Sequence, residues 1–251
     1  MSDQIQTSMK EGVLQIRISR PDKKNALTSA MYAAIAQALA EADENPAVRV
    51  VTLTGSGDSF TSGNDLADFL ARDASSRDQR PVETFLTTIA TTKKPLIAGV
   101  NGMAIGVGVT MLLHCDVVYA VETATFQLPF TNLGVVPEAG SSQLLPQMVG
   151  YHRAAELMLF GERIDARRAL EIGLINGTCT AAELPALLQS RAALIAAKPA
   201  SSVLATKALL RRAPESTLMR MSVENAEFAR LLQTPEARAI MQAFLDRRKA
   251  S

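Results

Sequence analysis

Cysteine is scarce: Cys115 and Cys179 are the only two in 251 residues, and neither belongs to a CxxC pair. That excludes a thiolate zinc site and a disulfide framework. Buried free thiols are the expectation. An excess of one charge is lacking as well, since Lys plus Arg number 26 against 25 for Asp plus Glu. Neither nucleic acid nor an anionic membrane is therefore an expected partner. No run of about 18 apolar residues occurs. The opening MSDQIQTSMKEG has no apolar stretch of the length a secretory leader needs, so the expected location is cytoplasmic. Fixed-period repeats, low-complexity tracts and charge blocks are missing too. What is present is 47% hydrophobic residues, enough for a sizeable core, and a small molecule becomes the expected ligand.

The first part of the chain alternates β-rich and helical runs: VLQIRIS, SAMYAAIAQALAEADEN, VRVVTLTG, TFLTTIATT, KPLIAGVNG. Such alternation predicts the α/β class. Met31, Ile35, Leu39 and Ala42 recur at helical spacing behind Thr28 or Ser29 as a cap, so one face of that helix is built to cover a sheet. VTMLLHCDVVYAV reads as a buried helix running into a strand, and TFQLPF as a further strand ended by Pro129. Beyond Pro199 three helical segments follow with no strand between them. The expected organisation is a core over residues 1–198 and a helical region over 199–251. Leu218, Met221, Phe228, Leu231, Leu232, Ile240, Met241, Phe244 and Leu245 give the latter more apolar surface than three short helices bury among themselves, and partner subunits or the core are expected to cover it.

Candidate chemistry gathers in three stretches: FTSGNDLADF around Gly63, NGMAIGVGVTMLLH with Gly102, Gly106 and Gly108, and LPFTNLGVVPEAGSS around Glu138. A strand-to-helix junction of small residues leaves backbone N–H groups free, and two such junctions face to face can clasp a developing oxyanion. Taken singly, each glycine cluster reads equally as tight packing. The second cluster does not spell G-x-G-x-x-G, which rejects dinucleotide binding. Glu138 is either an acid at a helix start, favoured there by the dipole, or a base desolvated by neighbours such as Val135, Val136 and Phe130. His114, in an apolar helix, reads as a satisfied core histidine, and His152 as structural or exposed. Ser141, His152 and Asp116 could be drawn as a triad, but no G-x-S-x-G elbow supports one. Asp65 reads as a helix cap.

The ordered blocks RPDKKNALT, FTSGNDLADF, KPLIAGVNGMAIGVGVTMLLHCDVVYA, ATFQLPFTNLGVVPEAGSS and GERIDARRALEIGLING resemble the crotonase superfamily, the enoyl-CoA hydratase/isomerase family, over nearly the whole chain. The resemblance implies a spiral of ββα units with a C-terminal helical region that forms trimers, often paired into hexamers. It implies an acyl-CoA thioester as substrate, with coenzyme A part of that substrate and no metal or redox cofactor. Carried over residue by residue, the oxyanion amides fall on Asn64 and Val107. The binding path falls on Lys24, Ala26, Leu27, Ser62, Gly63, Asn64, Asp65, Leu66, Gly106, Val107, Thr110 and Phe130, with Lys23 or Lys24 reaching a CoA phosphate. The two glutamates of the family's hydratases are replaced by Thr110 and Phe130, and Val107 stands where hydratases carry glycine, narrowing the acyl approach. With Glu138 as the remaining acid, the pattern looks most like peroxisomal-type Δ3,Δ2-enoyl-CoA isomerases of fatty-acid β-oxidation. Weak hydration, thioester hydrolysis and non-catalytic acyl-CoA binding are the alternatives.

Overall fold

A computed structural model describes residues 3–70 and 80–250. The chain divides into two compact units, Met1–Ala193 and Leu194–Ser251.

The first unit opens with a hairpin, β1 (Ile5–Lys10) and β2 (Val13–Ile18). Glu11 and Gly12 both take positive φ at its turn. Helix α1 (Ser29–Glu44) starts where Thr28 accepts the Met31 N–H, and Met31, Ile35, Leu39 and Ala42 are all buried, as their spacing predicts. There follow β3 (Val50–Gly55), β4 (Ser59–Thr61), α2 (Leu66–Leu70) and α3 (Arg80–Thr91). The next turn of chain is β5 (Leu96–Val100), β6 (Met103–Ile105) and α4 (Val107–Thr110), the last continued by a 3-10 turn over Met111–His114. A third turn brings β7 (Val117–Val121), β8 (Thr125–Gln127), α5 (Ser141–Val149) and α6 (Tyr151–Phe160). The unit closes with β9 (Arg163–Asp165), α7 (Ala166–Glu171), β10 (Gly177–Cys179) and α8 (Leu184–Ala196), whose last residues belong to the second unit.

Two sheets result, in the orders β1-β2-β3-β5-β7-β10 and β4-β6-β8-β9. Apart from the β1–β2 and β8–β9 pairs every neighbour is parallel. Strands β3, β5 and β7 each turn a corner of two or three residues into β4, β6 and β8 of the other sheet. The chain then returns through helix, and this repeated ββα turn is the spiral. Burial on both faces explains the continuous apolar runs: every residue of β4 and β5 is buried.

The corners depend on close backbone approach. A Cβ on Gly102 would lie 1.9 Å from the Asp58 carbonyl oxygen, so no other residue fits there. Asn25 is fully buried in the left-handed region (φ 57°) and its amide donates to the carbonyls of Ser56 (2.9 Å) and Ser59 (2.6 Å). Asn101 donates to Gly57 (2.9 Å) and Ser59 (3.0 Å). Both side chains satisfy carbonyls that the tight corner would otherwise strand.

Cys179 is buried, as expected; Cys115, where the chain leaves the 3-10 turn, is only half-buried. The second unit holds α9 (Ala200–Leu210), α10 (Thr217–Leu232) and α11 (Pro235–Ala250). Ser216 accepts the Met219 N–H and Thr234 that of Ala237. Glu215 is pushed down to about 2 by hydrogen bonds from Arg212 and Arg220, which tie the α9–α10 connection. Leu218, Met221, Phe228, Ile240, Met241 and Leu245 are exposed on the chain; the Phe244 side chain lies outside the described residues.

Candidate active site

The first junction follows β4. Thr61 donates through its hydroxyl to the Asn25 carbonyl (2.7 Å) and accepts the Gly63 N–H (3.1 Å). Leu27 then flanks Asn64 as an isolated parallel bridge: its N–H donates to Gly63 O (2.8 Å) and its carbonyl accepts from Asp65 N (2.9 Å). The Asn64 N–H between these bonds has no acceptor among the described residues. Fully buried Tyr32 donates its hydroxyl to Asn64 Oδ1 at 2.7 Å. Asp65 caps α2, accepting from Ala67 N (3.1 Å) and Asp68 N (3.2 Å). Its other oxygen meets Arg20 at 2.7 Å, and that hydrogen bond holds the carboxyl below its ordinary range. Arg20 also donates to the Ala26 carbonyl (3.1 Å).

The second junction follows β6. Thr61 pairs with Ala104 across the β4–β6 ladder, so Asn64 and Val107 each lie three residues beyond a matched pair. Gly106 takes φ 57° and donates to Gln127 O at 2.9 Å. Val107 begins α4, and its N–H has no acceptor among the described residues. A Cβ on Gly63 would come within 2.9 Å of Ile105 O, and one on Gly108 within 2.7 Å of Thr61 Cγ2. Glycine at both places lets the junctions touch. Two N–H groups with no acceptor among the described residues stand just past the ends of the adjacent strands β4 and β6, an arrangement suited to holding an oxyanion. The Val107 side chain is buried, so its bulk is packed within the chain.

Glu138 completes the site from the β8–α5 loop. It lies three residues before α5 and no acid occupies that helix's first turn, so the helix-start reading does not hold. Thr110, fully buried one turn along from Val107, donates its hydroxyl to Glu138 Oε1. The other oxygen, Oε2, is buried without a hydrogen-bond partner among the described residues. Burial pushes the Glu138 carboxyl up, and the Thr110 hydrogen bond opposes it. The expected desolvation by Val135 and Val136 is corrected: both are exposed, Val136 to 81%. Both follow the left-handed turn at Gly134 (φ 71°). Phe130 is buried at the start of that loop.

The remaining candidates take varied places. Lys24 pairs with Asp58 at the surface (2.8 Å). Ser62 donates its N–H to Lys24 O (2.9 Å), Ala26 is half-buried, and Leu66 is exposed at the start of α2. Leu27 is fully buried and serves the site through the two backbone bonds that flank Asn64. His114 is buried with Nε2 2.8 Å from the Ala139 carbonyl, and His152 is exposed. Asp116 accepts from Leu96 N (2.8 Å), and the Ser141 hydroxyl is buried with no partner among the described residues, so these residues form no triad. No group of three or more His, Cys, Asp or Glu among the described residues could hold a metal. Sequence reasoning missed Tyr32 and Arg20. Arg20 precedes PDKKN in the sequence, but nothing local marks either residue as a partner of the FTSGNDL stretch.

The comparisons settle the family. The enoyl-CoA hydratase/isomerase family model matches residues 8–251. The chain belongs to the enoyl-CoA hydratase/isomerase family. Its rat relative "Enoyl-CoA delta isomerase 2" is 37% identical over 218 residues, which is 85% of this chain and 56% of the rat protein. The chain thus spans little more than half of that relative's length. "Probable enoyl-CoA hydratase" of Rhodobacter capsulatus is 34% identical over 247 residues, 97% of this chain and 95% of that one. The solved enoyl-CoA hydratase from Bacillus anthracis superposes with a TM-score of 0.92 at 27% identity, covering 98% of this chain and 97% of its own. The crotonase spiral is therefore the fold of this family member, and its relatives carry both isomerase and hydratase names.

Proposed function

We propose that this chain is a Δ3,Δ2-enoyl-CoA isomerase that moves the double bond of a 3-enoyl-CoA to the 2-position. The carrying observation is one carboxylate held by one oxygen and bare at the other. Oε1 sits on Thr110, Oε2 is buried with no partner among the described residues, and Thr110 shares α4 with the Val107 amide, which has no acceptor among them either. Abstraction of a C2 proton by Oε2 breaks the C2–H bond and sends its electron pair through the thioester. Negative charge on the thioester oxygen is stabilised by the N–H groups of Asn64 and Val107. The carboxyl then returns the proton at C4, and the bond between C2 and C3 becomes double. A raised carboxyl pKa suits both halves of this shuttle.

Thr110 and Phe130 supply no second acid to hold and split a water, which favours isomerisation over hydration. The step as written needs no metal or redox group. We further propose that the substrate is an acyl-CoA, with Lys24 offering a cation to a CoA phosphate, that the reaction serves fatty-acid β-oxidation, and that the chain works as a trimer or hexamer in the cytoplasm.

The test is conversion of trans-3-hexenoyl-CoA to its conjugated isomer, followed by absorbance, with wild type and Glu138→Gln compared. Wild type is expected to turn over and E138Q to lose roughly three orders of magnitude or more in kcat, the scale of removing a proton-transfer group. Equal activity of the two would sink the reading. Hydration of crotonyl-CoA outpacing isomerisation would favour the hydratase alternative.

A further inference from the structure

His114 does no chemistry in the reaction above, yet it touches the catalytic loop. Thr110 and His114 stand four residues apart on the segment formed by α4 and its 3-10 continuation. They grip consecutive residues of one turn: Thr110 the Glu138 carboxylate, His114 the Ala139 carbonyl at 2.8 Å. A carbonyl can only accept, so Nε2 carries the hydrogen. Ala139 needs holding, because it takes φ 58° although it has a Cβ, and Gly140 follows at φ 67°. Two successive left-handed residues are unusual, and for alanine the conformation is disfavoured. Within the loop itself the turn is closed by Ser141 N donating to Glu138 O at 3.0 Å. The carbonyl that His114 holds lies in the Ala139–Gly140 peptide, inside the turn that Ser141 N closes on Glu138 O, so it fixes the turn from which the Glu138 side chain departs.

We propose that His114 is a positioning residue for Glu138: its Nε2–H, bonded to the Ala139 carbonyl, locks the left-handed turn that aims Oε2 at the substrate carbons. The proposal rests on the isomerase reading. Its experiment therefore includes a readout that does not need turnover.

His114→Leu fills the space and removes the donor. It is expected to lower kcat about ten- to hundredfold, as small misplacements of a reacting group do, while KM stays within about twofold because substrate contacts are intact. His114→Gln, whose side-chain amide can donate at about the reach of Nε2, is expected to restore most of the loss. Independently of activity, the 13C carboxyl resonance of Glu138, assigned by its disappearance in E138Q, should move in H114L and return in H114Q. Should H114L fail to fold, His114→Asn, with an amide too short to reach Ala139, takes its place. The proposal is overturned if the leucine or asparagine variant keeps wild-type kcat, if glutamine is no better than they are, or if the Glu138 resonance stays unmoved. If wild type itself does not isomerise, the isomerase reading falls, while the resonance still decides whether His114 orients Glu138.

Discussion

A half-buried residue with one carboxylate oxygen wholly shielded, Glu138, is an expensive thing to keep in a fold. The same burial that raises its pKa destabilises the protein whenever the group is ionised. The sign follows from linkage: the unfolded chain ionises first as pH rises through the ordinary value of 4.5, and the penalty then grows until the folded carboxyl also ionises. Glu138→Gln removes that charge and can still accept from Thr110. Its melting temperature at pH 7 should exceed wild type, and the gain should vanish below pH 4.5, even as activity disappears. A site residue that costs stability is the usual exchange between function and fold. Thr110 acts in the opposite direction, since its hydroxyl favours the charged form. Thr110→Val should therefore raise the carboxyl further and move the acid limb of the kcat/KM profile to higher pH. A limb that stays put would mean the Thr110 bond contributes nothing to the base.

At the scale of elements, the two junctions depend on glycines that let β4 and β6 ends meet. Gly63 has φ 93° and its missing Cβ would stand 2.9 Å from a backbone oxygen, that of Ile105. Gly63→Ala should cost about 1–3 kcal/mol in denaturant unfolding, the range for a forced backbone conformation, and should impair isomerisation by disturbing the Asn64 amide. An unchanged unfolding midpoint would show that the junction relaxes freely. These junctions also mark what a reader of the sequence can and cannot see. Helix α1 was legible because its apolar spacing and Thr28 cap are local. Glu138 stands out by itself as a lone acid in LPFTNLGVVPEAGSS, whereas Asn64 and Val107 are located only through the resemblance, since by themselves FTSGNDL and IGVGV read as packing. Strands β4, β6, β9 and β10 have three residues each, too few for a period of two to register. The partnerships of Tyr32 with Asn64 and of His114 with Ala139 span 32 and 25 residues. Only the spiral brings such pairs together, and a local pattern carries no trace of them. The exposure of Val135 and Val136 is illegible for a different reason: apolar residues in a loop lack a periodic face that fixes their direction.

On the scale of the whole molecule, the Met1–Ala193 unit holds the candidate site, while the Leu194–Ser251 unit contributes no residue to the chemistry proposed here. Ser216 and Thr234 cap α10 and α11 and the Glu215 ion pairs tie the α9–α10 connection, yet α10 displays apolar side chains: Leu218 is 80% exposed and Phe228 67%. A chain that kept such residues bare would lose the free energy of burying them, about 1.5–3 kcal/mol for each large side chain, and would tend to associate without control. A closed symmetric assembly covers the same face on every copy, which is the arrangement the family resemblance implies. Sedimentation of the wild-type chain should therefore give three or six times its own mass. Phe228→Glu places a charge on that face where a lone chain has room for it, so it should fold, as judged by far-ultraviolet circular dichroism, and sediment as a smaller species. A wild type that sediments as a monomer at all concentrations removes the assembly proposal while leaving the Glu138 chemistry standing. A wild-type trimer that Phe228→Glu leaves intact keeps the assembly and excludes Phe228 from the contact.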